Sequence, residues 1–283
     1  MNDAILESLE TILQGRIKSS HSGSGGCIND AAVITLDNEQ QYFVKTNDRS
    51  PNRMFFAEAN GLRAIGQTDS VAVPDVVHVA REFLVLRYID SATQPQDFFE
   101  RMGRELAQMH RTTTQKFGFD EANFLGSTVQ RNEWMDDWTA FWQEHRFGFQ
   151  FELVRQNGLA DQEFNRLADG IQRRVEQTLK TNERPALVHG DLWSGNYMVG
   201  DRGQPIFIDP AVYFGHREVE FGMTTLFGGF DQTFYDAYNE EWPLEAGSEE
   251  RIELYRLYHL LNHLNLFGSS YRSGCVEIMK KYV

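Results

Sequence analysis

The chain changes its hydrophobic period once, and that change limits the folds open to it. Up to about residue 89 it is written mostly in short β-forming runs; beyond that, long stretches carry helical spacing. The first part opens with Ile5, Leu6, Leu9, Ile12 and Leu13 on one helical face, stopped at Gly15. A small-residue stretch, SSHSGSGGCIN, follows, and DAAVITLDN and QQYFVKT then read as strands joined by a turn at Asp37 and Asn38. Pro51 suits a helix start, and Phe55, Phe56, Ala59, Leu62 and Ile65 form the apolar stripe of a helix closing near Gly66. VPDVVHVA and EFLVLRYI supply two more strands. The expectation is an α+β, bilobal chain: a small N-terminal lobe, residues 1–89, with a five-stranded antiparallel sheet plus one helix, and a larger, mainly helical lobe, residues 90–283. Helices are expected over 98–110, 134–146, 161–179, 219–227, 231–240 and 249–267. Between them, ALVHGDLWSGNYMVG and QPIFIDPAVYFGHRE read as two short strands with polar residues crowded at their ends, the usual placing of a site.

Composition removes several classes of partner. Twenty-seven Lys plus Arg against 41 Asp plus Glu give a net charge of −14, which repels a phosphate backbone in the absence of a basic stripe, so no nucleic-acid partner is expected. No apolar run approaches the roughly 20 residues that a membrane-spanning helix needs, and MNDAILESLE carries acids where a secretion signal carries bases. The reading is a cytoplasmic protein with no membrane partner. Two cysteines, Cys27 and Cys275, are too few for a disulfide framework and lack metal-ligand spacing.

The most specific stretch is His189-Gly190-Asp191-Leu192-Trp193-Ser194-Gly195-Asn196. Its Asp and Asn are spaced as in the catalytic loop of protein kinases, with His two positions ahead of the Asp. Phosphoryl transfer needs a carboxylate to orient a hydroxyl and take its proton, and a neutral oxygen ligand for Mg²⁺ a few residues along. Asp191 fits the first role and Asn196 the second, although Asp and Asn also form ordinary turns. Asp209 ends the apolar strand Pro205-Ile206-Phe207-Ile208 where kinases place a second metal-binding carboxylate; it is followed by Pro210 rather than Phe-Gly, so no activation-loop toggle is expected. Upstream, Lys45 in a strand and Glu58 in the next helix match the pair that positions nucleotide phosphates. Gly23, Gly25 and Gly26 precede them in a loop whose bare backbone amides suit phosphate oxygens.

Several separated segments resemble the fructosamine kinase, or ketosamine-3-kinase, family, which groups with aminoglycoside phosphotransferases and choline kinases in the protein-kinase-like superfamily. These are GGCIN, NEWMDDWTAFWQEHR, VHGDLWSGN, IDPAVYFGHRE, LFGGF and LNHLNLFG, spread from about residue 15 to the C-terminus. The resemblance implies ATP- and Mg²⁺-dependent phosphorylation of the 3-hydroxyl of a ketosamine, free or on a protein lysine, leading to deglycation. Ribulosamines, erythrulosamines and fructosamines all stay open as acceptors. It makes Asp191 the base, Asn196 and Asp209 the magnesium ligands, Lys45 and Glu58 the phosphate-positioning pair, and Arg87, Tyr88 and Ile89 the linker that meets adenine through its backbone.

Trp193 offers an aromatic face to the sugar or amine of the acceptor, or else fills core space. His216, Arg217 and Glu220 line the acceptor pocket or buttress it, Arg217 in the second role. Asn262 and His263 lie among leucines; one of them reaches substrate, or both are satisfied in the core. Trp134, Asp136, Asp137 and Trp138 have no mechanism legible in the sequence. Cys27, within the glycine loop, is a candidate redox-sensitive thiol. Two other readings are an aminoglycoside- or choline-type phosphotransferase and an inactive pseudokinase serving as a binding module. Monomer and homodimer are both open.

Overall fold

The computed structural model describes residues 2–23, 29–47 and 53–283. Gly25, Gly26 and Cys27 of the glycine loop, and Pro51, lie outside the described residues.

Helix α1 (Asp3–Leu13) starts where the Asn2 side chain accepts the Ile5 N–H at 3.0 Å, satisfying one of the free donors of a first turn. Five strands follow: β1 (Ile17–Ser22), β2 (Asp30–Leu36), β3 (Gln41–Thr46), β4 (Val76–Val79) and β5 (Phe83–Arg87), with helix α2 (Met54–Gly66) between β3 and β4. They form one antiparallel sheet in the order β1-β2-β3-β5-β4.

Both faces of this sheet are covered, by a helix each rather than by one helix in all. Side chains alternate along a strand, so Tyr42 and Val44 pack with Val85 under Ile5 and Leu9 of α1. Phe43 and Leu84 face the other way, against Phe55, Ala59 and Leu62 of α2. Lys45 shares the parity of Phe43, which delivers its ammonium to the α2 side, where Glu58 stands.

The remainder is mainly helical. Helix α3 (Phe98–His110) falls where the 3.6-residue spacing predicts it, and a hairpin of β6 (Asn123–Leu125) and β7 (Thr128–Gln130) follows. The segment expected as a helix over 134–146 begins later. Asp137 caps it, accepting the Ala140 N–H at 2.8 Å, and a short α4 (Trp138–Phe141) opens into a π-helix over Trp142–Gly148 before α5 (Phe149–Gln156). Helix α6 (Gln162–Thr178) is capped in the same way by Asp161.

The two expected short strands are two separate ladders. β8 (Ala186–Val188) pairs with β11 (Tyr213–Gly215), and β9 (Tyr197–Val199) with β10 (Pro205–Phe207). Helices α7 (Val219–Thr224), α8 (Gln232–Glu241), α9 (Ser248–Phe267) and α10 (Arg272–Tyr282) follow, with α5, α10 and the β6–β7 hairpin being additions to the sequence reading. The largest buried cluster joins Trp138, Trp142, Phe151, Ile171, Leu257 and Leu261; a second sits under α3 and α8. No helix among the described residues is long and apolar enough to cross a membrane.

Candidate active site

The two nested ladders bring the polar loop after β8 and the turn after β10 face to face. Ala211 donates its N–H to the His189 carbonyl at 2.9 Å, and Ile208 to the Asn196 carbonyl at 3.0 Å. The His189 ring closes the junction: Nε2 lies 2.9 Å from the Ile208 carbonyl, which only accepts, so Nε2 carries the proton and Nδ1 accepts the Asp191 N–H at 3.3 Å. Burial holds this imidazole below its ordinary pKa, in keeping with a neutral ring. Gly190 is required here. Its φ is 82°, and a Cβ would stand 2.2 Å from the Ala211 carbonyl oxygen.

Beneath the loop, Glu220 of α7 accepts two backbone donors, His189 N–H at 2.6 Å and Gly190 N–H at 3.0 Å. Its side chain is buried and 3.4 Å from His110 Nε2; His110 Nδ1 in turn meets the Tyr238 hydroxyl at 2.8 Å. Sequence reasoning left Glu220 between pocket and buttress; the structure makes it a buttress beneath the His189–Asn196 loop.

Asp191, Asn196, Asp209 and Glu58 line one cavity of about 590 Å³, and Lys45 is bonded to two of them. Lys45 Nζ donates to Glu58 Oε1 at 2.7 Å and also to Asp209. Burial alone would lower the lysine pKa, but the Asp209 and Glu58 carboxylates outweigh it and raise it, so the ammonium is firmly charged. Burial pushes the Glu58 carboxyl upward against the pull of Lys45. Asp209 adopts φ 54°, an uncommon left-handed conformation for a residue with a side chain.

Asn196 Nδ2 donates to the Asp191 carbonyl at 2.7 Å and to its carboxylate at 3.1 Å. The amide nitrogen is thus engaged with Asp191. Burial, then the charge of Asp209, pushes the Asp191 carboxyl well above the usual carboxylate range, with the Asn196 bond opposing. A carboxylate with raised proton affinity, held by its neighbour's amide, suits general-base work.

Asn196 and the Asp209 carboxylate, two hard oxygen donors on one cavity, fit the ligand preference of Mg²⁺.

Other sequence-derived candidates are distributed as follows. Gly23 donates its N–H to the Ala31 carbonyl at 2.9 Å at the entrance to the glycine loop. Arg87 and Tyr88 use their N–H groups on the Asp75 and Gln41 carbonyls, and neither they nor Ile89 line the cavity. Trp193, Asn262 and His263 do line it. The Asn262 amide is nevertheless engaged at both ends, accepting from Gln150 at 3.1 Å and donating to the Leu125 carbonyl at 3.3 Å.

His216 is not at the cavity; this corrects its assignment as an acceptor contact. The β11 ladder turns it inward, where Nδ1 meets the Tyr255 hydroxyl at 2.8 Å and Nε2 lies 3.3 Å from Glu183. Arg217 anchors the same Glu183 with Nε and Nη2, as a buttress. Glu183, His216 and Glu245 bring ligand atoms within 4.8 Å of one another, but Arg217 already holds both Glu183 oxygens.

The Asn132–Trp138 block acquires a physical account. Arg146, on the π-helix, is wholly buried between Phe141 and Tyr213, whose ring centres lie 4.6 and 4.2 Å from its guanidinium carbon. It donates to Asn132 Oδ1 at 2.7 Å; Asn132 donates to Asn123, which donates to the Val212 carbonyl at 2.6 Å. Gln130 adds a bond to the Ala211 carbonyl at 3.0 Å. The block therefore braces the segment that follows Asp209. Trp138 joins it from the core side through the Tyr255 hydroxyl at 2.9 Å. No role was assigned to Phe124, Phe227, Phe267 and Tyr271 on the cavity wall, although Phe227 and Phe267 fall in LFGGF and LNHLNLFG; rings without a charge carry little chemical signature in a sequence.

A lysine–glutamate pair reaching from a five-stranded sheet, and an Asp-Asn loop facing a second carboxylate, define an ATP-dependent phosphotransferase of the protein-kinase-like fold. The chain belongs to the fructosamine kinase family, whose sequence profile matches residues 1–283. A probable ketoamine kinase of Synechocystis sp. is 40% identical over 274 residues, covering 94% of this chain and 90% of that protein. The chloroplastic protein-ribulosamine 3-kinase of Oryza sativa subsp. japonica is 40% identical over 279 residues, 95% of this chain and 80% of its own. A solved Haemophilus somnus 129PT protein assigned to fructosamine-3-kinase superposes with TM-score 0.88 at 32% identity, covering 99% and 96% of the two chains. In fold alone, the ADP-bound aminoglycoside phosphotransferase APH(2'')-Ib is also similar, with TM-score 0.65 at 15% identity over 99% and 97%.

Proposed function

We propose that this chain transfers the γ-phosphoryl group of ATP to the 3-hydroxyl of a ketosamine, and that the product leads to deglycation of the amine. The observation that carries the reading is the convergence of Lys45, Glu58, Asp191, Asn196 and Asp209 on one cleft, in a chain 40% identical to a protein-ribulosamine 3-kinase.

In this reading residues 1–89 form the nucleotide lobe, with Gly23, Gly25 and Gly26 at the phosphates and the backbone of Arg87, Tyr88 and Ile89 at adenine. Residues 90–283 carry the catalytic loop and the acceptor side. Lys45 donates to the nucleotide phosphates while Glu58 fixes its direction. Asp191 accepts a hydrogen bond from the acceptor hydroxyl, aligning its lone pair, and takes the proton as the new O–P bond forms. Asn196 and Asp209 would hold Mg²⁺, which supplies charge neutralisation between the phosphates when bound. Trp193 lies beside the base and takes the face of the sugar. Acidic groups around the cleft favour an acceptor whose amine is protonated. Mg·ATP as cofactor and the cytoplasm, where ATP is plentiful, complete the proposal.

A phosphate on C3 makes the ketosamine labile by ordinary carbonyl chemistry. Enolisation of the C2 carbonyl toward C1 lets the C3 phosphate leave, and hydrolysis of the resulting imine frees the amine. The test is incubation with Mg·ATP and ribulose-, erythrulose- and fructose-lysine beside an aminoglycoside. Phosphate at O3 of a ketosamine, with release of lysine, is the expected result; phosphorylation of the aminoglycoside alone, or no Asp191-dependent turnover, overturns it.

A further inference from the structure

The cavity has two chemically different ends. Asp191, Asn196, Asp209 and Glu58 line one; Phe227, His263, Phe267 and Tyr271 line the other, with Trp193 where the two meet. The rings are in mutual contact. Phe227 lies 6.2 Å from Trp193 and 4.9 Å from His263, and His263 lies 5.5 Å from Phe267 and 5.1 Å from Tyr271. Phe227 and Phe267 are nevertheless 42% and 50% exposed, among the few large apolar side chains so open among the described residues.

Phe227 is held in place by the catalytic loop itself. The backbone after it passes through Gly228 and Gly229 at φ 71° and 87°. A Cβ on Gly229 would stand 2.4 Å from that of Ser194, so the turn can press against the loop only as glycine. The Tyr197 hydroxyl donates to the Gly229 carbonyl at 2.6 Å and fastens the turn from the other side. Phe267 and Tyr271 bracket the end of α9, where Gly268 turns the chain at φ 89°. His263 Nδ1 donates to the His259 carbonyl at 2.8 Å. An open aromatic rim fixed to the loop that carries the base is poorly explained as core packing.

We propose that Phe227, Phe267 and Tyr271 form a collar that grips the carrier side of the acceptor, the alkyl stem beyond the ketosamine nitrogen, and so select ketosamines on lysine-like amines over those on short amines. The inference rests on the reading of the cleft as a ketosamine site. The sugar occupies the polar end beside Asp191, which leaves the substituted nitrogen pointing along the cavity toward the rings. Aromatic faces take up methylene surface and attract an adjacent ammonium. Among the described residues, the wall offers no lysine or arginine to oppose that charge.

The experiment compares two acceptors with the same sugar, ribulose on methylamine and ribulose on the Nε of Nα-acetyl-lysine amide. In the wild type, kcat/KM should favour the lysine acceptor by about tenfold or more, the scale of burying a few methylenes. Phe227→Ala combined with Phe267→Ala should remove most of that preference by raising KM for the lysine acceptor, with KM for ATP unmoved; Phe227→Tyr should restore it in part. Val77→Ala, an exposed apolar position on the edge strand β4, none of whose residues line the cavity, controls for general surface loss. Equal kcat/KM for the two acceptors in the wild type, or a preference unaltered in the double variant, overturns the collar while leaving the kinase reading intact. Failure to phosphorylate either acceptor overturns the kinase reading instead.

Discussion

The Glu220 carboxylate accepts the backbone N–H of His189 at 2.6 Å, two residues ahead of Asp191, the proposed base. With Gly190 as its second donor, one buried side chain fixes the loop that must hold Asp191 still. Glu220→Gln replaces one acceptor oxygen by an NH₂ that faces an N–H. The expected cost is about 1–3 kcal/mol of stability from the unsatisfied donor, and roughly 100-fold in kcat from misplacement of the base. ATP affinity should change little. Denaturant unfolding and a nucleotide titration beside the rate measurement check the three together.

Removal of the base separates chemistry from binding. Asp191→Asn should lower kcat by about 10²–10⁴-fold while leaving nucleotide affinity near wild type. Asp209→Ala removes a partner of Lys45 and should weaken Mg·ATP binding as well as the rate. Wild-type turnover in the Asp191 variant would remove it from the base's role.

Gly195 gives the Trp193 indole its resting place, since a Cβ there would lie 2.4 Å from the ring. Gly195→Ala must displace Trp193. An aromatic contact is worth about 0.5–1.5 kcal/mol, so acceptor KM should rise up to roughly tenfold with KM for ATP constant. Equal changes in both KM values would mean that the whole loop had moved.

Acid should destabilise the fold through buried histidine. Burial first, then the charges of His263 and Arg146, hold His259 at about 3 against an ordinary 6.5, and its Nδ1 has no hydrogen-bond partner among the described residues. The unfolded chain therefore binds one more proton than the folded chain between these values, and stability falls as pH drops below 6.5. Each such group contributes a slope of up to about 1.4 kcal/mol per pH unit. His259→Leu should flatten the unfolding free energy by one proton between pH 6 and 5. Glu183 acts in a lower window. Burial would raise its pKa, but the His216 and Arg217 bonds bring it down to about 2, so its contribution is lost only as pH falls below about 4.5. Identical slopes in wild type and His259→Leu would contradict the assignment.

What the sequence disclosed was chemistry tied to local spacing. The interval from Asp191 to Asn196, the strand parity of Lys45 and the position of Glu58 are set within single elements, and they meet at one cavity. Most strand and helix patterns up to residue 89 were legible because they alternate or repeat cleanly. Residues whose meaning depends on a distant partner were opaque. His216 reads like a pocket residue until the β8–β11 ladder turns it toward Tyr255 and Glu183. Glu220 has no local signature, because its partners are backbone groups 30 and 31 positions away. The hairpin of β6 and β7 was missed because strands of three residues each give too few alternations to show a period.

The π-turn over Trp142–Gly148 makes this stretch intolerant of shortening. Such a turn holds one residue more than a regular coil of helix, so excising one would close the wide turn and move the side chains on it, and excising a second would rotate the flanking segments by about 100° about their common axis. The guanidinium of Arg146 would then leave its aromatic sandwich or drag Asn132 with it. For protein engineers, a change of register here is graver than a change of side chain.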